Sequence, residues 1–429
     1  MKPGPLRRFW RLLGPGLVTG ASDDDPSGIA TYAQAGAKYG FGLLWTALIT
    51  FPLMAAVQET CDRTALATGK TLGELAREKF HRGTRIAIGV LIVALVAANV
   101  LNIAADLVAI GQGMALLHVG PAWVWAAGAG LALTGLIVFR GFQTVQTVFK
   151  VLCLSLLTYV VVLFVVHVPW LRVGTHTVVP HIAWNRDYLS LMVGVLGTTI
   201  SPYLFFWQTA DRVETMRSEN GGRRPVPMSR RTRARAAHEE KNDRLDVFTG
   251  MAFSNLVMFA VITATATTVG AHGSRDITSA AQAAQALHPL AGAMASALFA
   301  LGFVGSGMLA VPVLAAAGST GLAGLLGKPW GLSRNVREAP FFYALLAAGT
   351  LGGTALTLLS VDPISLLVLS ATVNGVAAAP FLVVVMLISG NRSLMGRYRN
   401  HRLATVLGWA TVALMTAAAI AMLLILLLP

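Results

Sequence analysis

The chain has 429 residues, of which 55% are hydrophobic and only 12% are charged, and its formal net charge is +14. A soluble domain has about 25% charged residues, so this composition excludes an ordinary soluble protein. The apolar residues form continuous runs without alternation, which excludes an outer-membrane β-barrel and predicts an all-α membrane protein. We expect no cleavable signal peptide, because no small-residue cleavage pattern follows the basic N-terminus.

Eleven apolar runs are long enough to cross a membrane, at about 20 residues per crossing. We predict spans near residues 12–37, 42–67, 84–117, 121–139, 145–168, 187–212, 246–270, 280–325, 340–359, 364–389 and 403–428. The eighth run is too long for one straight span, so we expect it to begin as a surface helix at Ser279.

Lys and Arg residues are distributed unevenly between the connections. The alternate segments 1–11, 63–85, 140–150, 212–244, 328–337 and 392–402 hold 29 of the 33 basic residues. Basic residues remain on the cytoplasmic side, so we predict a multi-pass protein of the cell inner membrane with a cytoplasmic N-terminus. The positive charge follows the connections and not one face, which argues against nucleic-acid binding.

The first apolar run contains GASDDDPSG at 20–28, with three consecutive carboxylates near its middle. A charge at the bilayer centre costs roughly 3 kcal/mol on insertion scales unless it faces a cavity or a partner. Pro26 cannot donate an amide hydrogen, and Gly28 weakens a helix further. We predict a helix broken at membrane depth, whose carbonyls and carboxylates line a cation site. The alternative, an extracellular loop at 23–28, leaves the apolar residues 29–37 without a place in the membrane.

The sixth run contains a second interruption, GTTISPYLFFWQ at 197–208, with Pro202 near its middle. The side chains of Thr198, Thr199 and Ser201 can bond to the backbone groups that a proline frees. Two broken helices five spans apart predict a transporter built from two five-helix inverted repeats.

We expect the first repeat at 1–170, the second at 186–390, and an additional eleventh span at 402–429. A basic cytosolic loop is expected at 213–245, disordered or partly helical around 217–244. Its arginines fix the topology in the simplest interpretation, and contact with anionic lipid headgroups is the alternative.

Several motifs carry a resemblance to a known family. They are GPG at 14–16, the pair Asp25-Pro26, QAGAKYGFGLLW at 34–45, ATGKTLGELARE at 67–78, Asp106 in NIAADLVAIG, and NRSLMG at 391–396. On these motifs the chain resembles the Nramp family of divalent-metal transporters. The resemblance implies the LeuT-type fold, with helices 1 and 6 broken, and transport of a divalent metal cation.

The metal-site motifs of that family are altered here. Asp25-Pro26-Ser27-Gly28 replaces Asp-Pro-Gly-Asn, so the carboxylate stays and the amide is lost. Ser201-Pro202-Tyr203 replaces Met-Pro-His, so a hydroxyl replaces the thioether and a phenol replaces the imidazole. By resemblance, the expected metal-site residues are Asp25, Thr198 through its carbonyl, Ser201, Asp24 and Gly28.

The altered donor set consists of oxygen atoms. Losing a thioether removes a soft ligand, and hard oxygen donors suit Mg²⁺ as a partly hydrated ion. The substitutions therefore predict Mg²⁺ import, with a resemblance to the Nramp-related magnesium-transporter branch, and Mn²⁺ as a possible second substrate. The first alternative is a proton-coupled Mn²⁺/Fe²⁺ importer of the standard family type, and the lesser one is a LeuT-type amine or amino-acid transporter.

Proton coupling is expected to be weak or absent, because the family's span-six histidines are replaced and the acid three residues after Asp106 is Ala109. The proton or pathway candidates are Asp106, Tyr203, Gln208, Glu59 and Asn374. For Asp106 the alternative role is pairing with Asn102, for Asn374 a helix–helix hydrogen bond, and for the nearby Asp62 pairing with Arg63 or a cytoplasmic loop. We expect no enzymatic activity and no cofactor besides the transported ion.

Overall fold

The computed structural model describes residues 14–270, 280–358 and 363–427, and the regular elements in these ranges are helices. The α-helices are α1 (Pro15–Asp23), α2 (Pro26–Tyr39), α3 (Trp45–Thr68), α4 (Leu72–Lys79), α5 (Arg82–Leu116), α6 (Ala122–Phe139), α7 (Phe142–Cys153), α8 (Leu157–Val165), α9 (Trp170–Val178), α10 (Arg186–Thr199), α11 (Pro202–Glu219), α12 (Arg233–Thr268), α13 (Ala280–Leu326), α14 (Pro340–Leu358), α15 (Pro363–Ser389), α16 (Arg392–Met395) and α17 (Arg402–Leu427). The Ser279 start that we expected for the eighth span lies outside the described residues.

The described residues contain eight helices that are long and apolar enough to cross a membrane, or ten if each of two bent pairs counts as one span. The bent pairs are Pro26–Leu43 with Trp45–Thr68, at 108°, and Val373–Ser389 with Arg392–Tyr398, at 58°. The number differs from the predicted eleven because the first run is divided between α1, of 9 residues, and α2, of 14.

The core of the protein forms around three long helices, α5, α12 and α13. The helix α13 packs along α5, and α12 packs against α1, α2 and α3. Glycines bring α1 and α12 into backbone contact: a Cβ atom at Gly20 would lie 2.1 Å from the Gly250 carbonyl oxygen, and one at Gly250 would lie 1.9 Å from that of Gly16. Small residues allow membrane helices to approach closely in this way, and the contact holds the end of α1 against α12.

The segment 213–245, expected to be a basic cytosolic loop that is disordered or partly helical, is mostly helical in the structure. The helix α11 continues to Glu219 and α12 begins at Arg233, so only 220–232 connects them outside regular α-helix. The buried side chains of Met228 and Ala236 explain the difference, because they join a small apolar cluster with residues of α3, α11 and the connection after α16. Packing of this kind orders a segment whose charge alone predicts a loop.

The basic connections come together at one end of the helix bundle. Arg63 on α3 donates to the Tyr398 carbonyl at 2.5 Å, and the Arg217 guanidinium lies 4.2 Å from the centroid of a Trp330 ring. The opposite end contains the Lys38–Asp187 ion pair, at 3.1 Å. The segments 63–85, 212–244, 328–337 and 392–402, all predicted to be cytoplasmic, thus contact one another in pairs at one end, while the orientation itself and the repeat boundaries stay predictions.

Candidate metal site at the two helix breaks

The first break lies between α1 and α2 and is encoded by its own residues. The helix α1 ends at Asp23, Asp24 leaves the helical conformation with φ −88° and ψ 55°, and Asp25 is the N-cap of α2. The Asp25 Oδ1 atom accepts hydrogen bonds from the Gly28 amide and the Ser27 hydroxyl, both at 2.7 Å. An Asp N-cap followed by proline is a favourable helix start, so the predicted break is confirmed.

The second break lies between α10, which ends at Thr199, and α11, which begins at Pro202. The Ser201 hydroxyl donates to the Thr198 carbonyl at 2.8 Å and to the Gly197 carbonyl at 3.3 Å. It therefore bonds to carbonyls near the end of α10, as the sequence predicted. Two of the expected metal donors, the Thr198 carbonyl and the Ser201 hydroxyl, are hydrogen-bonded to each other.

The two breaks face each other across Gly28. A Cβ atom at this glycine would lie 3.2 Å from the Thr198 Oγ1 atom, 3.3 Å from the Asp25 Oδ1 atom and 3.5 Å from the Asp23 carbonyl oxygen. Gly28 therefore leaves space between the two breaks. The Tyr203 hydroxyl links the breaks, because it donates to the Ser22 carbonyl at 3.0 Å.

Four carboxylates are buried at or near the first break, and we call them the break acids: Asp23, Asp24, Asp25 and Asp106. In the described ranges, no Lys or Arg lies within 4.0 Å of any of them. The Asp23 Oδ2 atom accepts a hydrogen bond from Ser254 at 3.2 Å, whereas neither carboxylate oxygen of Asp24 or Asp106 has a partner in hydrogen-bond geometry. A buried charge is costly without compensation, so a cation at this group would offset that cost.

The break acids do not form a compact ligand cluster. Among the described residues, no group of three or more His, Cys, Asp and Glu side chains is arranged to hold a metal ion. Asp106 on α5 interacts electrostatically with Asp25, and Asp24 with Tyr159 on α8. Asp25 is therefore the carboxylate that stands at the gap itself, with neutral oxygen atoms opposite it.

Two candidate pathway residues, Glu59 and Gln208, have partners outside the two helix breaks. Glu59 pairs with Arg63 at 3.0 Å and lies 3.6 Å from an Arg244 nitrogen. The Gln208 amide donates to Asp62 at 2.7 Å. Of the two pairings expected for Asp62, the one with Arg63 is not formed, because Arg63 turns toward Glu59, one helical turn earlier on α3. Asp62 pairs at 2.7 Å with Arg212, the first residue of the basic segment 212–244.

Asp62 instead belongs to a second group, buried at Asp62, Gln208 and Arg212 and partly buried at its other two members. We call it the arginine cluster: Asp62, Gln208, Arg212, Asp243 and Asp246. Arg212 lies 2.7 Å from Asp62, 3.0 Å from Asp243 and 3.8 Å from Asp246. The Asp246 Oδ2 atom also accepts a hydrogen bond from the Gly16 amide at 2.8 Å. The cluster thus joins α3, α11 and α12 to the start of α1.

Two further expectations concern polar neighbours of the site. The alternative pairing of Asp106 with Asn102 is not formed, since the Asn102 side-chain oxygen and both Asp106 oxygens lack hydrogen-bond partners. Asn374 is buried on α15. Its neighbour Gly375 approaches the second break, with its Cα atom 3.9 Å from a Cβ position at Gly197.

The sequence analysis missed two residues that hold the breaks. The Tyr32 hydroxyl accepts from the Thr198 hydroxyl at 3.3 Å and lies 3.2 Å from the Thr199 hydroxyl. Tyr32 follows Asp25 by seven residues, a spacing that places both on one helix face. Ser254 follows the contact glycine Gly250 by four residues, and the same periodicity directs it toward α1.

Comparisons with known proteins match nearly the whole chain. A family model described as Nramp, natural resistance-associated macrophage protein-like, matches residues 16–425. The chain is 26% identical over 419 residues to the divalent metal cation transporter MntH of Granulibacter bethesdensis, covering 95% of this chain and 87% of that protein. It is 28% identical over 413 residues to MntH of Verminephrobacter eiseniae, covering 94% and 86%.

Solved structures match the fold. The crystal structure of the Eremococcus coleocola manganese transporter, in complex with an aromatic bis-isothiourea substituted compound, matches with a TM-score of 0.77 at 18% identity, covering 98% of this chain and 88% of that one. A nucleobase-cation-symport-1 family transporter in a closed conformation matches with a TM-score of 0.55 at 13% identity, covering 96% and 92%. The predicted fold class, an all-α membrane protein of LeuT type with helices 1 and 6 broken, is confirmed.

Proposed function

Because this chain belongs to the Nramp family, we propose that it transports a divalent metal cation of the manganese class across a membrane, through the gap between the two helix breaks. The observation that carries the proposal is the buried carboxylate of Asp25 at this gap, among break acids that have no Lys or Arg partner in the described residues. A passing cation supplies the missing positive charge.

Manganese takes first place over magnesium in this proposal, which reverses the order expected from the sequence. The MntH relatives are divalent metal cation transporters, and the Eremococcus coleocola relative is a manganese transporter. The oxygen donors of Asp25, Thr198 and Ser201 accept Mn²⁺ as well as Mg²⁺. A thioether also lies beside the second break, where the Met258 sulfur is 3.7 Å from the Thr199 hydroxyl.

Magnesium is the second candidate, favoured by one feature of the chain. Ser201 stands where a methionine ligand is expected by resemblance, so the hydroxyl at that position offers only a hard donor. Mg²⁺ retains several waters and needs few protein ligands. The relatives lend this candidate no support, and competition between the two ions decides it.

The direction and coupling of transport are part of the proposal. With the N-terminus in the cytoplasm of a cell with an inside-negative inner membrane, a divalent cation entering gains roughly 4.6 kcal/mol per 100 mV, twice the single-charge value. Asp106 is the group that we assign to any coupled proton. Its negative charge is repelled by Asp25, and its carboxylate accepts no hydrogen bond, so both features favour a bound proton. Weak or absent coupling stays a prediction, and acidification of the vesicle lumen during Mn²⁺ entry measures it.

The test is uptake into proteoliposomes that contain a dye for Mn²⁺ or a dye for Mg²⁺. We expect Mn²⁺ entry with the native protein and none above empty vesicles with Asp25→Asn. The matched control is Asp187→Asn, the same change at an exposed surface carboxylate, which leaves entry unchanged. Equal entry with Asp25→Asn contradicts the site, and Mg²⁺ entry with Mn²⁺ inert reverses the order of the two ions.

A further inference from the structure

A cavity of about 420 Å³ lies at the end of the bundle where the basic connections meet. It opens between the end of α3, the start of α12 and the connection from α16 to α17. We call it the basic cleft, and its lining residues are Arg63, Arg233, Ala237, Glu240, Arg397, Tyr398, Arg399 and His401. Four arginines and a histidine therefore surround it, against a single glutamate.

The one acidic side chain of the cleft does not neutralise these arginines. Glu240 lies 3.7 Å from Arg244, which does not line the cleft. In the described part of the chain, no carboxylate lies within 4.0 Å of the Arg233, Arg397 or Arg399 guanidinium groups. Three positive charges thus face the cavity without a counterion.

The same segment pairs its other arginines. Arg231 and Arg235 both contact Glu239, the latter at 2.8 Å. Arg233 lies between them in sequence, yet it lines the cleft without an acidic partner. This contrast within five residues shows that the positive charge of the cleft is a local feature and not a general lack of acids.

Two arginines in the wall of the cleft are held in position by contacts with neighbouring residues. Arg63 is buried and bonds to Glu59, to the Tyr398 carbonyl and to the Asn400 side chain at 2.8 Å. The Arg397 guanidinium lies 4.7 Å from the centroid of the Tyr398 ring. Both groups are therefore held in place before any ligand arrives.

The start of α12 adds to the positive potential. Its N-cap, Thr232, makes no side-chain capping bond, and Arg233 and Ala237, one turn apart, both line the cleft. A helix N-terminus carries partial positive charge and unpaired amides that favour an anion.

We propose that the basic cleft binds a phosphate group, carried either by an anionic phospholipid headgroup or by a soluble phosphate compound. Guanidinium groups form paired, charge-assisted hydrogen bonds with phosphate oxygens. The volume falls in the range of small-molecule sites. Leu403 and Val406 are exposed on α17 directly after the cleft, which brings the cleft next to an apolar surface of the kind that lipid covers.

The test measures binding to the full-length protein, purified in uncharged detergent, by native mass spectrometry and by thermal unfolding. One arm titrates dioleoyl phosphatidylglycerol against dioleoyl phosphatidylcholine, and the other titrates glycerol 3-phosphate against chloride at equal ionic strength. A ligand that binds the folded state stabilises it in a saturable manner. Binding of the chain-bearing lipid alone identifies a headgroup site, and binding of glycerol 3-phosphate identifies a soluble phosphate.

The variant Arg233→Ala/Arg399→Ala removes two charges from the cleft. The matched control is Arg223→Ala/Arg224→Ala, which removes two charges from exposed positions in the same basic connection, outside the cleft. We expect binding at least about tenfold weaker in the cleft variant, which corresponds to about 1.4 kcal/mol, and unchanged binding in the control, because the cleft variant loses charge-assisted hydrogen bonds to phosphate.

Equal binding by both variants, or stabilisation that follows ionic strength alone, overturns the proposal and leaves the arginines as topological determinants. Arg399→Gln alone, at an exposed position, keeps the test decisive if the double variant fails to fold. Neither readout involves metal transport, so the result is independent of the proposed function.

Discussion

The molecule contains two groups of carboxylates in its interior, one that surrounds an arginine and one that has no basic partner in the described residues. In the arginine cluster, Arg212 lies within 2.7–3.8 Å of three acids. The break acids have no basic partner within 4.0 Å in the described residues. The two groups lie on different helices, the arginine cluster on α3, α11 and α12 and the break acids on α1, α5 and the break before α2, but α12 contacts α1 in both. The comparison teaches that burial of carboxylates is not enough to propose a cation site. Our proposal rests on the missing countercharge of the break acids.

The largest expected effect comes from removing the cation of the paired group. Arg212→Gln leaves the buried Asp62 and the partly buried Asp243 and Asp246 without their shared partner, and breaking a buried ion pair costs about 3–5 kcal/mol. We expect a large drop in the thermal unfolding temperature of the purified protein. The control is Arg392→Gln on the exposed surface. An Arg212→Gln protein as stable as the native one contradicts the assignment.

The second prediction concerns the break acids, where we expect the opposite change in thermal stability. Asp106→Asn removes a buried carboxylate that accepts no hydrogen bond, so the folded state no longer bears the cost of its desolvation when charged. We expect unfolding at an equal or higher temperature, whereas Asp62→Asn, at a carboxylate that Arg212 and Gln208 contact, unfolds at a lower one. The comparison fails if the two substitutions shift stability in the same direction.

The sequence predicts the break acids well and the arginine cluster poorly, for a physical reason. Asp25, Pro26 and Pro202 break their helices through local chemistry, which a single segment contains. Asp62 and Arg212 are 150 residues apart, so no local pattern indicates that they pair. The extent of helix within 213–245 is hard to predict for the same reason, because Met228 is ordered by contacts with distant helices.

The third prediction concerns the space between the breaks. Gly28→Ala adds a methyl group 3.2 Å from the Thr198 Oγ1 atom and 3.3 Å from the Asp25 Oδ1 atom. These contacts are tight, so we expect Mn²⁺ uptake to fall about tenfold, which corresponds to about 1.4 kcal/mol, while the protein still folds. Gly128→Ala is the matched control, because no heavy atom lies within 4 Å of its Cβ position. Unchanged uptake by Gly28→Ala contradicts the claim that transport requires the two breaks to be this close.

The smallest effect is expected at the hydroxyl that links the breaks. Tyr203→Phe removes the 3.0 Å hydrogen bond to the Ser22 carbonyl and keeps the aromatic ring, at a net cost of about 1 kcal/mol. We expect a small decrease in unfolding temperature and a severalfold decrease in Mn²⁺ uptake. A Tyr203→Phe protein without any uptake assigns this hydroxyl a direct role with the ion.

The most direct test of the account is metal binding to the purified protein, followed by the electron paramagnetic resonance of free Mn²⁺. The account predicts saturable binding by the native protein and by Asp187→Asn, and binding about 100-fold weaker by Asp25→Asn, which corresponds to about 2.7 kcal/mol. Native-like Mn²⁺ affinity in Asp25→Asn contradicts the claim that the unpaired carboxylate at the helix breaks receives the cation.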